Sequence, residues 1–322
     1  MSRHRRIALL ATGGTIACTT DELGHAVKTL GAAGLLASVP ALPGIDVAAY
    51  DYGLLASWDV TPPAMLDMAR RVDELLADHD GVVLTHGTDT LEETAVLLSF
   101  AVRSGAPVVV TGAMRASDEP GADGPRNLVA ALLVAADPDA AGRGTLVVLD
   151  NEVHRAVTVT KRRSSALSTF GSPTTGPVGL VHGQQVIFLS PPATPTTYDV
   201  AHATADVPLL FAYTGAPTRI LEAALDGAAG LVVAGFGLGH APSPWMPLLG
   251  AAAHRGIPVV MASRTHAGPV GGRYAGAGGD VDARERGLIL AGLRTPYSAR
   301  IQLICAIGAG ADPVETFARA AP

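Results

Sequence analysis

The chain has 322 residues, a length that suggests about two domains, and 48% of them are hydrophobic against 16% charged. A typical globular chain is about 25% charged, so this one has too few charges for disorder and ample material for a core. Its 37 glycines and 23 prolines stay below the level that marks low complexity. A net charge of -6 and an aromatic content of 4% leave no basic excess for phosphates and little to stack on bases, which argues against a nucleic-acid partner. The low charge and a mean hydropathy of +0.32 fit a surface partly covered by copies of the same chain, so a homo-oligomer is expected.

Two cysteines, Cys18 and Cys305, can build neither a disulfide framework nor a four-ligand metal site, which fits a cytoplasmic location. Arg3, His4, Arg5 and Arg6 precede the apolar run Ile7–Ala11 and look like the start of a secretory leader. The run meets Thr12-Gly13-Gly14-Thr15 at once, however, and a leader core needs ~7–15 apolar residues. It reads as a first strand. No stretch approaches the ~18–20 apolar residues that span a bilayer.

Strands and helices then alternate along the chain. Leu30–Val39 reads as a short helix and Val47–Tyr52 as a strand. Thr61 caps a helix opening with Pro62 and Pro63, whose Met65, Met68, Val72, Leu75 and Leu76 form an apolar stripe. Gly81–Thr85 is a buried strand. Thr90 and Glu93 form a capping box for a helix running to about Val102. Strands Pro107–Thr111 and Thr145–Leu149 flank a helix over Pro125–Ala136. Val153–Thr160 and Val186–Leu189 read as shorter strands or hairpin arms. A proline-rich stretch, 190–208, reads as a linker. Beyond it lie strands Leu209–Tyr213, Gly230–Gly235 and Pro258–Ala262, with helices Pro217–Leu225 and Trp245–His254 between them. Gly268–Gly279 reads as a loop. Helices Ser298–Ile307 and Pro313–Ala320 close the chain, the second capped by Asp312. Such alternation predicts α/β architecture with a parallel sheet covered on both faces.

Four motifs carry the chemistry. In the first, Ala11-Thr12-Gly13-Gly14-Thr15-Ile16-Ala17, two glycines allow a sharp turn and close backbone approach. They leave amide groups free to face an anion. Thr15 then sits at the carboxyl end of a strand, where open α/β sheets bind ligands; a tight turn with an incidental threonine is the plainer alternative. The second, Thr85-His86-Gly87-Thr88-Asp89-Thr90-Leu91-Glu92-Glu93-Thr94, places Thr88 and Asp89 at another strand end, where the cap does not require them. A buried carboxylate beside a hydroxyl needs a partner, whereas a solvated loop would need none. In the third, Thr111-Gly112-Ala113-Met114-Arg115, main chain can line a pocket, and the following Asp123 reads as a carboxylate at a helix N-terminus. The fourth is Lys161 in Val157-Thr158-Val159-Thr160-Lys161-Arg162-Arg163, which taken alone reads as a solvated basic run.

Together these motifs resemble the bacterial-type L-asparaginase family over most of the chain. The resemblance implies a larger N-terminal flavodoxin/Rossmann-like domain over 1–189, the linker 190–208 and a smaller C-terminal α/β domain over 209–322. It implies hydrolysis of L-asparagine to L-aspartate and ammonia through a threonine acyl-enzyme, with no metal or organic cofactor. Thr15 is the implied nucleophile, and Thr88, Lys161 and Asp89 are the implied relay. A threonine hydroxyl is a weak nucleophile and needs such a base. Ser57 in Ala56-Ser57-Trp58-Asp59 matches the serine that binds the substrate carboxylate, Asp89 would pair with the substrate ammonium, and the Ala113 carbonyl would accept from the scissile amide. Trp58 stands where many members have glutamine and would narrow the pocket. The family also implies a homodimer or homotetramer. The segment Cys18–Leu30 lacks the family's lid tyrosine, and His25 falls nearest by spacing. His240 and Asp280 match family site positions only loosely. A dual glutaminase-asparaginase remains the nearest alternative, since one methylene is worth only ~1–3 kcal/mol of discrimination; a non-catalytic asparagine or aspartate sensor is the other.

Overall fold

The computed structural model describes residues 4–193, 196–265 and 267–318. The chain divides into two units, 1–197 and 198–322.

The first unit is built on β1 (Arg5–Gly13), a strand whose Ile7, Ala8, Leu9 and Leu10 are all fully buried. Burial on both faces is what a central parallel strand needs. After it come a hairpin of β2 (Cys18–Thr20) and β3 (Ala26–Lys28), then α1 (Ala32–Ala37) and β4 (Ile45–Leu55). Next come α2 (Pro62–Leu76), β5 (Gly81–Thr85), α3 (Leu91–Ala101), β6 (Val108–Thr111), α4 (Gly124–Ala136) and β7 (Thr145–Leu149). The unit closes with β8 (Glu152–Arg155), β9 (Thr160–Lys161), β10 (Phe170–Gly171), β11 (Gly179–His182) and β12 (Gln185–Phe188).

Eight strands form one sheet in the order β12-β11-β8-β7-β6-β5-β1-β4. The five from β7 to β4 run parallel, and β8, β11 and β12 extend the edge antiparallel. In register, Ile7 faces Gly81 on one side and Val47 on the other. Side chains alternate across the sheet. Ile7, Leu9 and Ala11 pack with α1 and α4 through Leu35, Leu128, Ala131 and Leu132. The intervening Ala8 and Leu10 are equally buried on the opposite face, where α2 and α3 pack together.

The second unit repeats the plan on a smaller scale. Its parallel sheet, in the order β13-β14-β15-β16, consists of β13 (Leu209–Phe211), β14 (Leu231–Gly235), β15 (Val259–Ser263) and β16 (Ile289–Leu290). The helices are α5 (Thr218–Leu225), α6 (Met246–His254), α7 (Asp280–Glu285), α8 (Pro296–Gly308) and α9 (Pro313–Ala318). Residues 319 and 320 of the expected last helix lie outside the described residues. So do 194 and 195 of the proline-rich stretch, whose described part carries neither helix nor strand.

The α/β reading holds, and β5 and β7 fall on their expected bounds. Thr61 caps α2 as expected, accepting from the Ala64 amide. One local reading needs correction. Thr90 occupies the N-cap of α3 but makes no capping bond; its hydroxyl donates instead to the Ser57 carbonyl at 2.6 Å. Asp123 occupies the N-cap of α4 as expected, and its carboxylate accepts from the Met114 and Arg115 amides. In both places the side chain turned to a main-chain group of another loop that needed a partner. The β2–β3 hairpin, α7 and β16 are additional elements, too short to show a period in sequence.

Candidate active site

The parallel strands β1, β5 and β6 end side by side, and their loops meet backbone to backbone. Gly14 has φ 85°, and a Cβ there would lie 2.4 Å from the Gly87 amide nitrogen. A Cβ on Gly87 would lie 2.6 Å from Ser57 Oγ. Only glycine permits both approaches, and the first also needs a left-handed backbone. Thr12 Oγ1 donates to the Thr85 carbonyl at 2.7 Å, fastening the ends of β1 and β5.

Behind this junction His86 is buried. Desolvation pushes its pKa down to about 4, so the ring is neutral at neutral pH. Its Nδ1 lies 2.8 Å from the Gly87 carbonyl, which can only accept, so Nδ1 carries the hydrogen. Nε2 then accepts from Thr94 Oγ1 at 3.0 Å. The imidazole thereby fixes the loop that presents Thr88.

Lys161 arrives from β9, which pairs with β10 outside the main sheet. Its Nζ donates to Thr88 Oγ1 at 2.9 Å and to Asp89 Oδ1 at 2.7 Å. The lysine side chain is 18% exposed and the aspartate 51%. Its main chain is held as firmly: the Lys161 amide and the Thr160 hydroxyl both donate to the carboxylate of Glu92. Glu92 lies in the first turn of α3 and is buried, and desolvation pushes its pKa up to about 7. One helix terminus thus holds Lys161 by the backbone through Glu92 and by the side chain through Thr88 and Asp89.

Thr15, Ser57, Trp58, Thr88, Asp89 and Lys161 line one cavity of about 290 Å³. Thr15 is partly exposed there, and its hydroxyl has no hydrogen-bond partner among the described residues. Ser57 is buried, whereas Trp58 is 70% exposed at the rim. The side chain of Ala113 is buried in the core, and the neighbouring Met114 lines the cavity. Cys18, Ala26 and Lys28 of the β2–β3 hairpin and Ser164 after β9 also line it, which no periodic signal announced. His25, at the turn of that hairpin, is not among the lining residues; its exposed ring lies 3.4 Å from Asp21. In the second unit Asp280 is buried and accepts from the Gly272 and Tyr274 amides, fixing the glycine-rich loop, and the His240 ring meets Tyr274 edge-on. Among the described residues no group of three His, Cys, Asp or Glu could hold a metal ion, and no helix is long and apolar enough to cross a membrane.

Thr15 thus shares one cavity with a threonine–lysine–aspartate cluster, and comparisons with known proteins give the family. Residues 6–194 match the family model for the asparaginase N-terminal domain, and residues 206–318 match that for the glutaminase/asparaginase C-terminal domain. The chain belongs to the asparaginase family. A probable L-asparaginase of Deinococcus radiodurans is 39% identical over 311 residues, covering 95% of this chain and 94% of the relative. L-asparaginase 2 of Escherichia coli is 35% identical over 318 residues, covering 95% and 90%. A probable periplasmic L-asparaginase of Haemophilus influenzae is also 35% identical, over the same shares of the two chains. In this asparaginase, then, the cavity lies within the larger unit at the carboxyl ends of its parallel strands, where open α/β sheets place their ligands.

Proposed function

We propose that this asparaginase hydrolyses L-asparagine to L-aspartate and ammonia, with Thr15 as nucleophile. The observation that carries the reading is Lys161 Nζ, bonded to both Thr88 Oγ1 and Asp89 Oδ1 in a cavity that Thr15 also lines. In the first step Thr15 Oγ bonds to the side-chain amide carbon, and the C–N bond breaks. The hydroxyl proton leaves with the amine as ammonia. In the second step water adds to the ester, L-aspartate departs, and Thr15 regains its proton. Thr88, Lys161 and Asp89 form the hydrogen-bonded path through which these protons move. Amides near Gly14 and Thr88 face the developing oxyanion, a contribution of about 2.7–4 kcal/mol for each such donor elsewhere. Ser57 takes the substrate carboxylate and Asp89 the ammonium.

Ammonia release should therefore vanish in Thr15→Ala. In Lys161→Met kcat should fall by about 10²–10⁴, while the melting temperature stays close to that of the wild type, because Asp89 is exposed enough to be hydrated. An acyl group trapped on any residue other than Thr15 would falsify the assignment. Parallel kinetics on L-glutamine decide against or for dual specificity.

The same reading includes a cytoplasmic homodimer or homotetramer. Exposed Ile187, Leu189, Phe211 and Tyr213, and two buried, unpaired cysteines, support it. A monomer in light scattering would count against the assembly.

A further inference from the structure

Three charged side chains line the cavity among the described residues: Lys28, Asp89 and Lys161. Lys161 and Asp89 neutralise each other at 2.7 Å. Lys28 has no carboxylate partner among the described residues. Its Nζ meets only the Leu54 carbonyl, at 3.5 Å, the long limit of a hydrogen bond, and lies 5.7 Å from the centre of the Trp58 ring. The lysine ends β3, where its backbone pairs with Cys18, itself a cavity residue, so its origin on the wall is fixed by the hairpin ladder. The Trp58 indole supplies a face beside the ammonium that does not compete for an anion.

We infer that Lys28, steadied by Trp58, is a specificity-determining residue that binds the α-carboxylate of the amino-acid amide. The inference rests on the function proposed above and adds to it the group that balances the ligand's charge. A zwitterionic substrate brings one ammonium and one carboxylate. Asp89 Oδ2 accepts no hydrogen bond from a described residue and is open to the ammonium. The carboxylate then meets the Ser57 hydroxyl and the one lining cation that no acid already satisfies. A substrate whose α-carboxylate is replaced by a neutral amide loses this contact and leaves Lys28 uncompensated.

The test compares wild type, Lys28→Gln and Lys28→Arg in two measurements. The first is the ratio of kcat/KM for L-asparagine to that for L-asparaginamide, in which the carboxylate is an amide. The second is the affinity for L-aspartate by titration calorimetry. Lys28→Gln should narrow the kinetic preference about tenfold and weaken L-aspartate binding about tenfold, as expected for loss of one hydrogen bond between charged groups. Lys28→Arg should restore most of both. If both quantities in Lys28→Gln stay within about twofold of wild type, less than such a bond contributes, the inference is overturned. If the wild type releases no ammonia from either amide, the hydrolase reading fails, and calorimetry alone then decides the role of Lys28: tenfold weakening upholds it, while equal affinities or no L-aspartate binding to the wild type overturn it.

Discussion

At the scale of single residues, Glu92 joins the site to the stability of the fold. Its carboxyl group is buried and titrates near pH 7, against 4.5 for an ordinary glutamate. Between those values the folded chain keeps a proton that the unfolded chain has released. Stability contributed by this group therefore falls as pH rises from about 4.5 to about 7, and is level above that. At 1.36 kcal/mol per unit the whole change is about 3 kcal/mol. Glu92→Gln removes this slope, so the difference in unfolding free energy between wild type and variant, read from urea titrations at several pH values, should change across that window. A flat difference would show that Glu92 stays ionised. Nothing in the local pattern Thr90-Leu91-Glu92-Glu93 distinguishes Glu92 from its neighbour; the partners that do so, Thr160 and Lys161, lie 68 and 69 residues away.

At the scale of elements, the β2–β3 hairpin supplies Cys18, Ala26 and Lys28 to the cavity, so its anchorage matters to the site. Ser117 and Asp118 hold it to the segment before α4, and the Ser117 amide donates to the Cys18 carbonyl at 2.9 Å. Ser117 Oγ donates to the Cys18 carbonyl at 2.7 Å, and the Asp118 carboxylate accepts from the Thr20 amide at 2.7 Å and the Thr20 hydroxyl at 3.0 Å. Asp118→Ala cuts the tie to Thr20 while leaving the hairpin ladder intact. The expected outcome is faster amide exchange over residues 18–28, with a KM for L-asparagine several-fold higher than that of the wild type. Unaltered exchange there would mean that the ladder alone holds the hairpin. Exposed short elements of this kind open at low free-energy cost, so the loss of one tie should register in exchange before it registers in global stability.

At the scale of the whole molecule, acid resistance depends on two buried histidines. His86 and His154 each titrate near pH 4 instead of 6.5, because burial opposes their charged forms. Below pH 6.5 the unfolded chain takes up protons that the folded chain refuses, so stability is lost as pH falls from 6.5 toward 4. From pH 7 to 5 each histidine removes about 2 kcal/mol, and Glu92, with the opposite sign, returns about 2. Wild type should accordingly lose about 1–2 kcal/mol over that interval, and Glu92→Gln about 3–4 kcal/mol. Denaturant midpoints at the two pH values test both numbers. A wild type more stable at pH 5 than at pH 7 would reverse the assignment of the histidines as the dominant groups.

The parallel strands, their helices, and the threonine-bearing loops after β1 and β5 were legible in the amino-acid sequence. Those features rest on short-range signals: continuous apolar runs, helical spacing, and glycines at strand ends. Two motifs long enough to be specific, those holding Thr15 and Thr88-Asp89, carried the resemblance to the asparaginase family, and that resemblance joined Ser57 and Lys161 to the set. Folding in three dimensions decided that Lys161 reaches back across 73 residues to Thr88, that Thr90 serves Ser57 instead of its own helix, and that Asp123 holds Met114 and Arg115. It likewise decided that Lys28, unremarkable in a run of small and polar residues, is the cation that faces the cavity without an acid. A polar side chain bonds to whichever unsatisfied group folding brings near it, and that choice depends on long-range packing that local spacing does not encode.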